Sequence, residues 1–405
     1  VREDPGLDYA PAVAELGTAT AADLGRLLSL VARPLGAKKV VVYLVDFGQL
    51  VLQPLLLGDI GADWQGHDWL SPDEGFIEQD IATSAAGQSF RTGSAVVVER
   101  TDGARISVPL VEHAERTGVV ALTVPTASAA VVEQCMRLGA FAGLLVSSLA
   151  RSTDLFHLRR QGRGMTAAAG MQWDLLPSMT LRSASVVSTG LLEPAYEVAG
   201  DAFDHTINAD RLHVSIFDGM GHDLGSTVMT TLAVGVYRHA RRARMSLLEM
   251  HESVDAAVAA HCSAEAFVTG VIADLHLDSG LLYWVNAGHP PPLLLRRSGQ
   301  IEELVSLPSL PFGFRDGVQL CRTHLDRGDH LLLYTDGVVE SRPALGADMG
   351  SEELARLWAA EIASGVGPEQ VVQRVVAAAV EHQGGKLHDD ATLLMVHRLG
   401  SAPAR

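Results

Sequence analysis

Four times in the second half of this 405-residue chain, an apolar, strand-like run meets an aspartate and a small residue or turn. The stretches are "YEVAGDAFD" with Asp201 and Asp204, "SIFDGMG" with Asp218, "LLLYTDGVV" with Asp336, and "HDDATLLMV" with Asp389 and Asp390. A carboxylate at the end of a buried strand loses solvation and needs a turn amide, an arginine or a metal ion to compensate it. One such aspartate reads as a turn cap. Four places in one region demand more of the fold. Either it scatters them to separate wet corners, or it gathers them on one rim where cations offset their repulsion.

The gathered arrangement has a definite chemistry. Carboxylates, a backbone carbonyl and water suit Mg²⁺ or Mn²⁺, and no thiolate or histidine cluster competes for zinc. Glycine at 219 would let a cation approach the main-chain carbonyl. Two hard cations about 3.5–4 Å apart activate water and clamp phosphoryl oxygens for in-line attack. The pattern therefore points to phosphate ester hydrolysis without a covalent nucleophile. The chain has no GxSxG elbow and no GxxxxGK[ST] loop, which agrees with that reading.

The hydrophobic period divides the chain. A helix, a hairpin, a helix and three more strands form a compact α+β unit of roughly 130 residues at the start of the chain. From about 129 to 175 the spacing is helical. It predicts either a packed connector or a signalling linker that pairs with a second chain. After Pro177, which cannot continue a helix, the period becomes two. Strands are expected at 183–194, 196–207 and 212–219, then helices at 224–244 and 246–261. Further strands follow, with helices at about 351–364 and 368–383 ahead of a closing strand. Antiparallel strands with helices in two batches predict stacked sheets flanked by helices.

The net charge of −17 argues against nucleic acid and anionic membranes as partners. Three widely spaced cysteines, at 135, 262 and 321, form no disulfide framework. The acidic start lacks a secretory pattern, and the apolar stretch 138–150 is too short to span a bilayer. The expected setting is cytoplasmic. The arginine-rich 238–245 reads as a solvated helix face.

Residues from roughly 170 to 400 resemble the PPM (PP2C-type) serine/threonine phosphatases, in the bacterial branch of stage II sporulation protein E and the stress-response regulator phosphatases. The matching pieces are "EVAGDAFD" (197–204), "FDGMGHD" (217–223), "VNAGHPPPLLL" (285–295), "LPFGF" (310–314), "LLLYTDGVVESR" (331–342) and "HDDATLLMV" (388–396), in the family's order. The resemblance implies an αββα sandwich over 178–400 holding two Mn²⁺ or Mg²⁺ ions. Carried over by motif, Asp218 bridges both ions and Gly219 lends its carbonyl to one. Asp336 and Asp389 complete the other site, and Asp201 ligates or holds metal-bound water. Asp204, His222 and Asp390 would stand beside the ligands, and His289 on its Pro-rich turn reads as structural. Departures are Ala199 and Asp223 where glycine is frequent, and Ala202 where an aromatic residue is.

The first unit, over 15–150, resembles a GAF domain through "GQSFRTGSAVVV" and "SVPLVEHAERTGVVALTV". A small-molecule ligand and a homodimer are expected of it. Within the helical linker, 151–177, "MQWDLLP" resembles the switch segment of this phosphatase branch, which makes Gln172, Leu175, Leu176 and Pro177 regulatory residues. The expected function is hydrolysis of phosphoserine or phosphothreonine, on a substrate such as an anti-sigma factor antagonist, by a metal-activated water under GAF control. The rival from another class is a non-catalytic GAF-controlled scaffold for a partner-switching protein. A two-metal phosphodiesterase is disfavoured by the acidic charge.

Overall fold

The computed structural model describes residues 6–59, 77–101, 103–112, 114–161, 165–193, 200–221, 224–261, 266–340, 349–385, 387 and 389–400. The chain divides into two units, Val1–Gly164 and Met165–Arg405.

In the first unit the helices are α1 (Ala10–Glu15), α2 (Leu24–Ala32), α3 (Ala85–Thr92), α4 (Ala129–Ala150) and α5 (Leu155–Arg160). The strands are β1 (Lys39–Val45), β2 (Val51–Asp59), β3 (Gln79–Asp80), β4 (Val96–Arg100), β5 (Gly103–Glu112) and β6 (Glu115–Val124). They form one antiparallel sheet in the order β3-β2-β1-β6-β5-β4. Strand β1, "KVVVYLV", is buried along nearly its whole length because both sheet faces are covered. Val40, Val42 and Leu44 share a core with α2 and α4, while Val41, Tyr43 and Val45 pack with Ala86 and Phe90 of α3.

Helix α4 corrects one expectation. The apolar stretch 138–150 continues a helix of 22 residues, long and apolar enough by composition to cross a membrane. Nine of its residues are nevertheless buried in this unit. Glycine permits that contact: a Cβ on Gly139 would stand 2.5 Å from the Pro109 carbonyl oxygen, and one on Gly143 would stand 2.2 Å from that of Val111. The G-x-x-x-G spacing thus seats the helix on β5. The expected linker also takes a different form, since α5 packs on β1 and β2 while the next helix belongs to the second unit.

The second unit begins with α6 (Ala167–Leu175), β7 (Thr180–Arg182), β8 (Val186–Glu193), β9 (Asp201–Asn208), β10 (Arg211–Gly219), α7 (Leu224–Arg242) and α8 (Leu247–His261). It continues with β11 (Val268–His276), β12 (Leu281–Ala287), β13 (Leu293–Leu295), β14 (Ile301–Glu303), β15 (Cys321–His324), β16 (His330–Tyr334), α9 (Gly350–Ala363), α10 (Pro368–His382) and β17 (Ala391–Arg398). Two antiparallel sheets result, β15-β12-β11-β10-β9 and β14-β13-β16-β17-β8-β7. Helices α7 and α8 cover the first through a core that includes Phe217, Tyr237 and Ile272. Helices α9 and α10 cover the second around Trp358 and Val375. Between the sheets, the Phe203 ring fills the space a side chain on Gly190 would need. This is the expected αββα sandwich.

Candidate active site

The period-two pleat sorts the aspartates. On β10, Phe217 faces the helical core, so Asp218 faces the other sheet. Its cross-strand partner on β9 is Asp201, on the same side. Strand β16 of the facing sheet ends at Tyr334, and a short 3₁₀ turn, Asp336–Val338, presents Asp336 just beyond it. Strand β17 begins at Ala391, immediately after Asp389 and Asp390. Asp201, Asp218, Asp336, Asp389 and Asp390 therefore meet at one rim of the sandwich.

Their electrostatics, among the described residues, are those of carboxylates that repel one another. Burial and then the charges of Asp336, Asp389, Asp390 and Glu340 push the Asp218 carboxyl up to about 7. Burial, Asp218 and Asp390 hold Asp201 well above the usual carboxylate range. Asp336 is raised by burial and by Glu340 and Asp389. Among the described residues no three acidic, histidine or cysteine side chains converge tightly enough to form a finished ligand set. The acids face one another at the range of charge repulsion. The donors are hard oxygens, the leading influences on Asp218 oppose its ionisation, and buried Asp390 Oδ1 has no hydrogen-bond partner among the described residues. Divalent cations fit that donor chemistry.

Hydrogen bonds hold two of the acids in place. Asp201 Oδ2 accepts from Thr335 Oγ1 at 2.7 Å, just past the end of β16, and from Thr392 Oγ1 at 2.6 Å on β17. Asp390 Oδ2 accepts from the amides of Gly200 at 2.8 Å and Asp201 at 3.2 Å. Sequence reasoning missed Thr335, Thr392 and Glu340. A threonine in a strand looks like ordinary β propensity, and only the sheet pairing turns its hydroxyl toward Asp201. Asp389 is exposed and caps the Asp390 amide at 2.9 Å, whereas Asp390 is buried.

Two glycines are forced by close approach. A Cβ on Gly219 would lie 2.4 Å from Thr230 Oγ1, and one on Gly337 would lie 2.0 Å from the Asp390 carbonyl oxygen.

Asp204 is the correction. It lies three residues from Asp201, so the pleat sends it to the helical face. There it is 2% exposed and bonded to Arg238 and, at 2.8 Å, to Arg241 of α7. It clamps α7 to β9 and stands apart from the acid rim. His222 lies outside the described residues, as do Ala199 and Asp223, while Ala202 is buried under α7. His289 is structural. Burial pushes its pKa down to about 3, its Nε2 donates to the Tyr334 carbonyl at 3.0 Å, and its Nδ1 accepts from Thr269 Oγ1 at 2.7 Å. Thr269 lies opposite Asp218 in the β10–β11 register and Tyr334 precedes Thr335, so the neutral ring staples the two sheets beside the acids.

Helix α6 reaches the same rim. Buried Gln172 donates through Nε2 to the Asp201 carbonyl at 2.8 Å and to Asp390 Oδ2 at 3.0 Å. Leu175 and Leu176 pack on the α7–α8 core, and the Leu175 carbonyl accepts from Arg238 Nη2 at 2.7 Å. Leu176 is already extended, as expected of the residue before Pro177.

Comparison with known proteins agrees with this architecture. Residues 208–399 match the family described as Stage II sporulation protein E (SpoIIE). Phosphoserine phosphatase RsbU of Bacillus subtilis (strain 168) is 20% identical over 233 residues, which cover 57% of this chain and 69% of RsbU. Phosphoserine phosphatase RsbP of the same organism is 26% identical over 151 residues, covering 36% of this chain and 37% of RsbP. Among solved structures, the SiaA-PP2C domain of Pseudomonas aeruginosa aligns with a TM-score of 0.50 at 22% identity, covering 57% of this chain and 94% of that domain.

Proposed function

We propose that the C-terminal unit, whose residues 208–399 match the SpoIIE family, is a PP2C-type serine/threonine phosphatase that removes phosphate from phosphoserine or phosphothreonine of an anti-sigma factor antagonist. The observation that carries this reading is the gathering of five aspartates from two facing sheets on one rim, where burial and four other carboxylates are the leading influences on Asp218. Asp218, the Gly219 carbonyl, Asp336, Asp389 and Asp201 are the groups that would hold two Mn²⁺ or Mg²⁺ ions. Such ions acidify water and neutralise phosphoryl oxygens. The chain's own part is to keep the donors apart and oriented: Thr335 and Thr392 fix Asp201, Asp390 fixes the start of β9, and His289 ties the strand ends together.

Regulation is proposed to run through α6. Gln172 bonds both the Asp201 carbonyl and Asp390, so a shift of this helix would loosen the start of β9 and with it Asp201. Leu175, Leu176 and Pro177 would set how α6 seats. The first unit, read as a GAF domain with a small-molecule ligand and a dimeric partner, immediately precedes α6 in the chain. The setting proposed is the cytoplasm.

The test is Mn²⁺-dependent phosphate release from a phosphoserine-bearing antagonist protein, for wild type and Asp218→Asn. Turnover that requires manganese and collapses in the variant supports the reading. Metal-independent partner binding with no turnover in either protein would transfer it to a scaffold.

A further inference from the structure

The acid rim continues sideways into an apolar face. Gly219 pairs with Val268 at the start of β11, and Val268 in turn exchanges two backbone hydrogen bonds with Phe312, at 2.8 and 3.2 Å. Phe312 therefore stands two strand spacings, about 10 Å, from the Gly219 backbone. The pairing runs one residue past β10, where the Met220 amide donates to the Phe267 carbonyl at 3.0 Å. Thr269 lies opposite Asp218, so the pleat puts Phe267, two residues before it, on the Asp218 side of the sheet. The Phe267 and Phe314 rings meet with centroids 5.8 Å apart. Phe267 is half-buried, whereas Met220 and Phe314 are 41% and 46% exposed.

Exposed apolar side chains scattered singly need no explanation. This group is contiguous, and its outer ring is held in place. Asp255, a buried carboxylate of α8, accepts from the Gly313 amide at 2.7 Å and from the Arg315 amide at 3.1 Å through Oδ1. Phe312 is sunk in the α7–α8 core. Arg315 has a φ of 57°, a left-handed value that residues with a side chain seldom adopt. Phe314 is thus bracketed by fixed backbone. A buried acid and a left-handed residue keep an aromatic ring at the surface beside the rim.

What lies over this face follows from what the rim takes. An extended peptide advances about 3.3 Å per residue, so a phosphorylated residue at the rim carries its neighbours, two to four positions away, across Met220, Phe267 and Phe314. Exposed Arg315 and Asp316 bring opposite charges at the edge, so the face favours apolar neighbours over charged ones. The aspartates offer a phosphate dianion no attraction of their own. Contacts away from the reacting group therefore have binding to supply.

We propose that Met220, Phe267 and Phe314 dock apolar residues flanking the phosphorylated serine or threonine of a protein substrate, with Asp255 as the positioning residue that holds Phe314 in place. This rests on the phosphatase reading of the rim.

The test compares two synthetic phosphoserine peptides, alike except for leucine or serine at the second to fourth positions on either side. Both are given to the manganese-loaded full chain, with p-nitrophenyl phosphate as a substrate that has no flanking residues. Wild type is expected to favour the leucine peptide in kcat/KM by about tenfold, mainly through KM, the scale of one well-placed aromatic contact. Phe314→Ala, a surface change, should bring the ratio between the peptides close to unity, and Phe314→Leu should restore part of it. Asp255→Ala should lower the same ratio, while Asp255→Asn, whose amide oxygen still accepts, should keep it. If wild type hydrolyses p-nitrophenyl phosphate but treats the two peptides alike, the docking proposal falls and the phosphatase reading stands. A leucine preference that survives in Phe314→Ala overturns it too. So does a change in light-scattering mass in that variant with the preference intact, which would assign the face to a second copy of the chain. Failure of wild type to hydrolyse any of the three removes the phosphatase reading and the docking with it.

Discussion

Asp201 and Asp204 sit three residues apart on β9, both almost fully buried, and the molecule treats them in opposite ways. Asp204 faces α7 and is paired with two guanidinium groups, Arg238 and Arg241. Asp201 faces the second sheet, receives two threonine hydroxyls, and has Asp218 and Asp390 as its leading charged neighbours. A buried carboxylate with an internal cation closes its own electrostatics and acts as a structural clamp. One surrounded by like charges needs an external cation. The same residue type on one strand thus marks the fold's mortar at one position and its working rim at the other.

The contrast can be tested by removing each side in turn. Asp218→Asn is expected to lower manganese-dependent phosphatase activity by at least about a hundredfold, since metal-site substitutions of even supporting residues cost tens of fold. It should leave metal-free stability unchanged or raised, because it removes a repelling charge. Manganese should raise the melting temperature of wild type more than that of the variant. A variant that keeps its activity and its manganese-induced shift would end the distinction between the two aspartates.

On the structural side, Arg241→Ala should destabilise the metal-free protein by about 3 kcal/mol, the usual result of stripping a partner from a buried ion pair. Denaturant unfolding measures it. A loss confined to catalysis, with stability intact, would place Asp204 in the working site after all.

A similar amount is expected from pH. Burial holds His205 neutral, pushing its pKa from 6.5 down to about 4, with Nε2 donating to the Ser178 carbonyl and Nδ1 bonded to Ser188 Oγ. A histidine depressed in the folded state contributes stability that is fully present above its unfolded value and is lost as pH falls. The contribution of His205 should therefore fall by on the order of 3 kcal/mol from about pH 6.5 to about pH 4. In metal-free unfolding titrations, His205→Gln should flatten the wild-type slope over that window. An unchanged slope would refute the assignment.

The smallest effect concerns α6. Gln172→Ala removes the donor shared by the Asp201 carbonyl and Asp390, and about a tenfold loss of activity is expected, with about 1 kcal/mol or so of stability. Gln172→Glu should do worse, since it adds a carboxylate beside Asp390. A Gln172→Ala protein with wild-type turnover and manganese response would separate the helix from the rim.

Much of this was legible before any coordinate. The period change after Pro177, the strand-ending aspartates at 218 and 336, and the glycines after them are local signals, because local sterics and solvation demand those residues there. The helices at 224–242, 247–261, 350–363 and 368–382 stand close to where their apolar spacing put them. Strand β15, "CRTH", was not legible: it is a half-exposed edge strand whose only warrant is its pairing with β12. The role of Asp204 was misread because its motif is continuous in sequence, whereas its partners lie on a helix more than thirty residues later. Helix α4 begins at 129, where the helical spacing of the sequence begins.

What composition and order specify here are the pieces: which segments are strands, where each stops, and that carboxylates stand at the stops. Which carboxylates come together depends on strand register and on which sheet faces which, and those follow from burying the two inner faces against each other. A shift of one residue in β9 would send Asp201 to α7 and Asp204 to the rim. Long-range packing of Phe203 on Gly190, and of Phe217 beneath α7, excludes that alternative, so the rim belongs to the sandwich as a whole.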